Sequence, residues 1–231
     1  MKPINEIDSC HLCAYRKLLF DGLNSSDYLL INKSRKEYRY DRGEIIRAEG
    51  EPINSFLYLR SGLIKLYKTD RKGKEHILSI NKPGDFINLL SIFSNSEYKY
   101  SITAIEETKV CDIELPSLQR LITTNSSFAL RVLNRISSIS DEIIDGQFEI
   151  SQRQVKGRIA YFLLFLSNTV YHSREFRMPI TRREIGELIS MTTENTIRTL
   201  SEFKKDKIIS MDGKTLKIID INRLEGISNT G

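Results

Sequence analysis

The chain has 231 residues, 40% of them hydrophobic, which is enough apolar mass for one large core or two modest ones. Its net charge of +5 is uneven: residues 151–231, with 14 Lys+Arg against 9 Asp+Glu, carry the whole surplus. No run approaches the roughly 18 apolar residues of a membrane span, the N-terminus with Glu6 and Asp8 does not read as a secretory signal, and three cysteines without an export signal exclude a disulfide framework.

A soluble, cytoplasmic, two-domain protein is therefore expected, with no membrane partner and with a polyanion as a candidate partner for its basic C-terminal third. The alternative for the charge is a solvated surface.

Residues 1–24 form an N-terminal segment holding Cys10 and Cys13 in the sequence CHLC. If these and Cys111, in TKVCDIE, matter chemically, they do so as thiolates, candidate metal ligands; plain structural thiols are the simpler reading.

Residues 25–125 are expected to form a β-roll. From about Tyr38 to Leu115, short β-prone runs are punctuated by Gly43, Gly50, Gly62, Gly73 and Gly84, with Pro52 and Pro83. FLYLRSGLIKLYKT (56–69) and EHILSI (75–80) alternate apolar and polar residues as half-buried strands do.

Pro116 then opens PSLQRLI, in the helical turn that tolerates proline. A long helix is predicted over 126–152, interrupted at Gly146, with Phe128, Val132, Ile136, Ile139, Ile143 and Ile150 as an apolar stripe. Such a stripe packs on its own β-roll or pairs with a copy of itself. Leu130, Leu133 and Ile144 add a second apolar face, which favours pairing, with Val132, Ile136, Ile139 and Ile143 as the dimerisation residues.

Residues 153–231 read as a separate domain. VKGRIAYFLLFLSNTVY (155–171) is its expected core helix and EFRMPI a strand. TRREIGELI begins with Thr181 and has Glu184 three residues on, a capping box. After the short link SMT comes TTENTIRTLSEFKKDKII, with Thr192 as N-cap. Two helices joined so tightly cross steeply, and the second presents its N-terminal end.

Ile197, Leu200 and Phe203 are expected to face inward, and Thr193, Glu194, Asn195 and Arg198 outward. Glu194 and Arg198, one turn apart, form either a surface ion pair or a reading pair, the carboxylate accepting from a cytosine amino group and the guanidinium donating to guanine. Asp212-Gly213 marks a hairpin that would make a wing. Lys214 near its tip, with Arg182 and Arg183, would contact phosphates. No nucleophile–base pair, P-loop or metalloprotease spacing points to an enzyme.

Two stretches carry a resemblance: TRREIGELISMTTENTIRTLSEFKKDKIISMDGKTLKI, and YDRGEIIRAEGEPINSFLYLRSGLIKLYKTDRKGKEHILSINKPGDFINLLSIF upstream. Together they resemble the cyclic-AMP-receptor and fumarate-nitrate-reduction (CRP/FNR) regulator superfamily over nearly the whole chain. The resemblance implies an α+β protein with a cupin-like, cyclic-nucleotide-binding-domain-like β-roll, a long dimerisation helix and a C-terminal winged helix-turn-helix. It also implies a homodimer on double-stranded DNA at a palindromic operator, contacting RNA polymerase. A β-roll ligand-binding or protein-interaction module that lost operator binding is the alternative.

The departures bear on specificity and signal. Thr193 stands where the cyclic-AMP receptor has an arginine, which predicts one guanine contact fewer. Thr196 and Ser190 replace an aliphatic residue and a glycine. Asn88-Leu89 and Tyr98-Lys99 stand where cyclic-nucleotide binders carry Gly-Glu and Arg-Ser, which argues against cyclic AMP. The cysteines resemble the iron–sulfur ligands of the oxygen-sensing branch, yet a third N-terminal cysteine is replaced by Leu19, so a cluster would need Asp8, His11 or Asp21 as a further ligand. Haem on His76 is a third candidate; otherwise the signal is an unidentified ligand or none.

Overall fold

The computed structural model describes residues 2–4 and 19–230. Cys10 and Cys13, with Asp8 and His11, lie outside the described residues. The chain divides into two compact units, Met1–Asp141 and Glu142–Gly231, so the division falls inside the long helix and not at either end of it.

The first unit contains two four-stranded antiparallel sheets. One has the spatial order β1 (Lys2–Pro3), β2 (Arg35–Tyr40), β8 (Thr108–Glu114), β4 (Ser55–Ser61); the other has β3 (Ile45–Arg47), β7 (Ser101–Ala104), β5 (Ile64–Thr69), β6 (Glu75–Asn81). Phe56, Leu59, Ile102, Val110 and Ile113 are buried in its core. The turn glycines all adopt left-handed φ. At Gly62 the requirement is also steric, since a Cβ would sit 2.2 Å from the Glu107 carbonyl oxygen.

Three helices accompany the sheets: α1 (Ser25–Ser34), α2 (Leu115–Thr124), with Pro116 in its first turn, and α3 (Ser126–Gln152). Asn125 caps α3, its Oδ1 accepting from the Phe128 amide at 3.0 Å, while its Nδ2 donates to Asp27 on α1. Helix α3 runs through Gly146 without interruption.

The apolar stripe on α3 divides in a way the sequence did not show. Phe128 and Val132 are buried in the first unit's own core, and Ile136 and Ile139 pack against it. Ile143 is exposed, and so are Leu130, Leu133, Ile144 and Phe148. The first unit therefore uses most of the Val132 face itself, and the uncovered apolar residues are Ile143 at the far end of that face and those of the second face.

The second unit begins within α3. Helix α4 (Val155–Phe165) continues into a π-helical turn, Leu166–Val170. A three-stranded sheet follows with spatial order β10 (Ile209–Asp212), β11 (Thr215–Ile218), β9 (Glu175–Arg177). Helices α5 (Arg182–Leu188) and α6 (Thr193–Lys205) precede the β10–β11 hairpin, and α7 (Ile221–Thr230) ends the unit. Helix α7 was not anticipated. It is held by Leu224, fully buried, and by Arg153, whose Nε donates to the Ser228 carbonyl at 2.8 Å. Among the described residues, no helix is long and apolar enough to cross a membrane.

Candidate nucleic-acid interface

The helix-turn-helix is built from local capping at each end. Thr181 accepts from the Glu184 amide, and the Glu184 carboxylate reaches back to the Thr181 amide at 2.8 Å, closing the capping box at the start of α5. The helix ends at Ser190, which takes φ 56°, and the Met191 amide returns to the Gly186 carbonyl at 2.7 Å. This is a Schellman-type stop with serine in the position glycine favours.

Thr192 then caps α6, accepting from the Asn195 amide. The far end closes in the same way: Lys207 lies at φ 57°, its amide on the Lys204 carbonyl and that of Ile208 on Phe203.

Gly186 sets how closely the two helices approach. A Cβ there would lie 2.8 Å from the Met191 carbonyl oxygen and 3.0 Å from Thr196 Oγ1. Thr196 is fully buried, and its hydroxyl donates to the Thr192 carbonyl at 3.0 Å, so a polar side chain occupies the aliphatic position with its donor satisfied.

The inward face of α6 is therefore Thr196, Thr199, Leu200 and Phe203. Ile197 was expected inside and instead is 45% exposed, because it stands one residue, about 100° of helix, past Thr196. Glu194 and Arg198 are exposed on that outer face; Thr192 is exposed, and Thr193 and Asn195 are partly so. Of the two readings of Glu194 and Arg198, the surface ion pair does not form. Arg198 Nη2 donates instead to Asn195 Oδ1 at 2.8 Å.

The basic residues expected to meet phosphates lie in the same unit. Arg182 is exposed at the start of α5, and Arg183 is engaged by Glu187 at 3.1 Å. The β10–β11 hairpin turns through Gly213 (φ 56°) and Lys214, whose side chain is exposed. Lys156 bridges Glu202 at 2.8 Å, lowering the Glu202 carboxyl's pKa and tying α4 to α6 one turn past Arg198.

The β-roll positions expected to bear on signal are occupied by the protein's own groups. Asn88 is fully buried: its Oδ1 accepts from the Leu57 amide at 2.9 Å, and its Nδ2 donates to the Ser55 carbonyl at 2.8 Å and the Tyr98 hydroxyl at 3.0 Å. Leu89 is a core residue, and Lys99 points to solvent. Burial pushes the Tyr98 hydroxyl up to about 12. Nearby, Arg47 pairs with Asp112 at 2.6 Å. A cyclic nucleotide would need a carboxylate for its ribose at Leu89 and a guanidinium for its phosphate at Tyr98. The residues present do not fit one.

Leu19 stands where the oxygen-sensing branch has its third N-terminal cysteine. Leu19 is fully buried in the first unit's core, so a core side chain fills the place of a thiolate. Cys111 is buried on β8. Among the described residues, no group of three or more His, Cys, Asp or Glu could hold a metal. His76 lies on exposed strand edge, its Nε2 3.0 Å from Asp70 Oδ2; that contact, with the Lys74 and Lys72 amides, holds the Asp70 carboxyl at about 2. This is a hairpin brace and not a haem pocket.

An antiparallel β-roll, a long helix and a winged helix-turn-helix with an exposed reading face define a DNA-binding transcription regulator. Family profiles agree: the cyclic nucleotide-binding domain matches residues 37–125, and the Crp-like helix-turn-helix domain matches residues 157–227. Electron transport regulator A of Shewanella oneidensis is 30% identical over 225 residues, spanning 93% of this chain and 88% of that protein. The transcriptional activator protein anr of Pseudomonas aeruginosa is 27% identical, over 90% of this chain and 85% of that one. The solved structure of FixK2 from Bradyrhizobium japonicum shares the fold with a TM-score of 0.75 at 22% identity, covering 85% of this chain and 98% of that one. The chain belongs to the CRP/FNR family of transcription regulators.

Proposed function

We propose that this regulator works in the cytoplasm as a homodimer on a two-fold symmetric operator, contacts RNA polymerase there, has no enzymatic step, and answers a signal other than a cyclic nucleotide. The uncovered apolar face of α3 carries the dimer. Leu130, Leu133, Ile144 and Phe148 are each more than half exposed, an unusual run for a water-facing helix and a natural seam for a second copy. A dimer places two copies of α6 to meet successive major grooves, about 34 Å apart, so its operator is expected to be palindromic.

The signal reading rests on Asn88. Both of its amide hydrogens and an oxygen lone pair are committed inside the fully buried roll, and Leu89 beside it offers a ribose no acceptor. Sedimentation equilibrium of the wild type and of Leu133→Glu tests the assembly: a dimer is expected for the first and a monomer for the second. A monomeric wild type that still binds its operator tightly would sink it. Titration calorimetry with cyclic AMP is expected to show no heat of binding, and micromolar affinity would refute the reading of Asn88.

A further inference from the structure

The recognition helix carries an apolar side chain where polar reading residues would be expected, and its neighbour carries the reverse. Thr196 is fully buried while Ile197 is 45% exposed, so the helix puts a hydroxyl inside and a β-branched hydrocarbon outside. Single exposed hydrophobic residues are ordinary on protein surfaces and alone mean little. This one stands beside the two residues with base-reading chemistry: Ile197 and Arg198 lie three and four residues past Glu194, and Ser201 lies four past Ile197, on one exposed face.

The chemistry of the groove says what such a side chain can meet. On the major-groove edges of the base pairs every feature is a hydrogen-bond donor or acceptor except one, the C5-methyl group of thymine. Glu194 is suited to an amino group and Arg198 to guanine, and neither can recognise a methyl. Isoleucine can. Its branched Cβ also restricts χ1 on a helix, so the hydrocarbon surface is presented in a fixed orientation with little entropy left to lose.

We infer that Ile197 forms an apolar contact site for one thymine methyl in each half-site, adding a base preference that the Glu194 and Arg198 contacts do not supply. The inference rests on α6 entering the major groove. Its cost to the free protein is the exposed hydrocarbon, which the buried Thr196 shows was not forced by a shortage of inside positions.

The test uses the full-length protein and the tightest duplex it selects from a randomised pool. Each thymine is replaced singly by deoxyuridine, which differs only in lacking the methyl. The wild type is expected to lose about fourfold in affinity at one thymine per half-site, the worth of one buried carbon. In Ile197→Ser that penalty should vanish, and in Ile197→Val it should be partly kept, while penalties for changing the pairs read by Glu194 and Arg198 persist in both.

The proposal is overturned if no deoxyuridine weakens the wild type, if Ile197→Ser shows the same penalty, or if Ile197→Ser weakens every duplex alike. Should the wild type select no sequence at all, operator reading by α6 itself would be wrong, and this contact would fall with it.

Discussion

Arg198 is held by Asn195 and not by Glu194: its Nη2 donates to Asn195 Oδ1 at 2.8 Å, three residues back along α6. The guanidinium is thus braced before DNA arrives, while the Glu194 carboxylate keeps its acceptors for a base. Arg198→Ala should cost about 1–3 kcal/mol in operator affinity and relax choice at a single base pair. Asn195→Ala, which only frees the guanidinium, should cost less and leave the preferred base unchanged. Competition binding against every single-base variant of the selected operator checks both.

Lys214 should behave differently. Exposed in the hairpin loop, it offers a point charge. Lys214→Ala is expected to weaken all duplexes alike and to reduce the slope of log affinity against log salt by about two, one for each protomer of the proposed dimer. A change of base preference in that variant would show that the wing reads sequence.

Gly186 is the steric key to the helix-turn-helix. Gly186→Ala puts a Cβ 2.8 Å from the Met191 carbonyl oxygen, which is backbone and cannot swing aside. A loss of about 1–3 kcal/mol in stability is expected, with α6 displaced and operator binding weakened. Gly226→Ala in α7 is the control, because nothing lies within 4 Å of the added carbon; there stability should rise by roughly 0.5–1 kcal/mol. Urea melts of the two variants should move in opposite directions.

Ser190→Gly should stabilise. The left-handed backbone at φ 56° costs a non-glycine residue about 1–2 kcal/mol, against roughly 0.5–1 kcal/mol of chain entropy that glycine forfeits on folding. The bond from Arg158 Nη1 to the residue's carbonyl, 3.0 Å, is a main-chain contact and survives the change. A net gain of about 0.5–1 kcal/mol is expected, read as a higher urea midpoint with an unchanged m-value.

Local signals were the legible ones. The turn glycines, the Thr181 and Thr192 caps and Pro116 each act within a few residues, and the structure has turns and helix starts where they stand. What failed was helix phase and distant partnership. Ile197 looked like an inside residue because hydrophobicity outranks threonine, and only the buried hydroxyl bond of Thr196 shows the helix turned the other way. The stripe on α3 could be seen, but its division between the roll's own core and the exposed face depends on residues far along the chain. Helix α7, INRLEGISNT, is too polar to announce itself; its hold on α4 and Arg153 is tertiary.

Asn88 shows the same limit and gives a sharp test. Its partners lie 31 and 33 residues earlier on β4 and ten later at Tyr98, so no local pattern reveals them. Asn88→Ala removes three hydrogen bonds at a fully buried site and strands the Leu57 amide and the Ser55 carbonyl. Each stranded group costs about 1–3 kcal/mol, so a loss of about 3 kcal/mol is expected for the roll, partly relieved if water enters the vacated space. Asn88→Asp keeps the acceptor for Leu57 but sets a carboxylate against the Ser55 carbonyl, and it should do at least as much damage at neutral pH, easing as the acid is protonated. Thermal melts of both variants across pH, with the wild type as reference, separate a structural Asn88 from a ligand-binding one: a ligand residue would leave the apoprotein's melting temperature nearly unchanged.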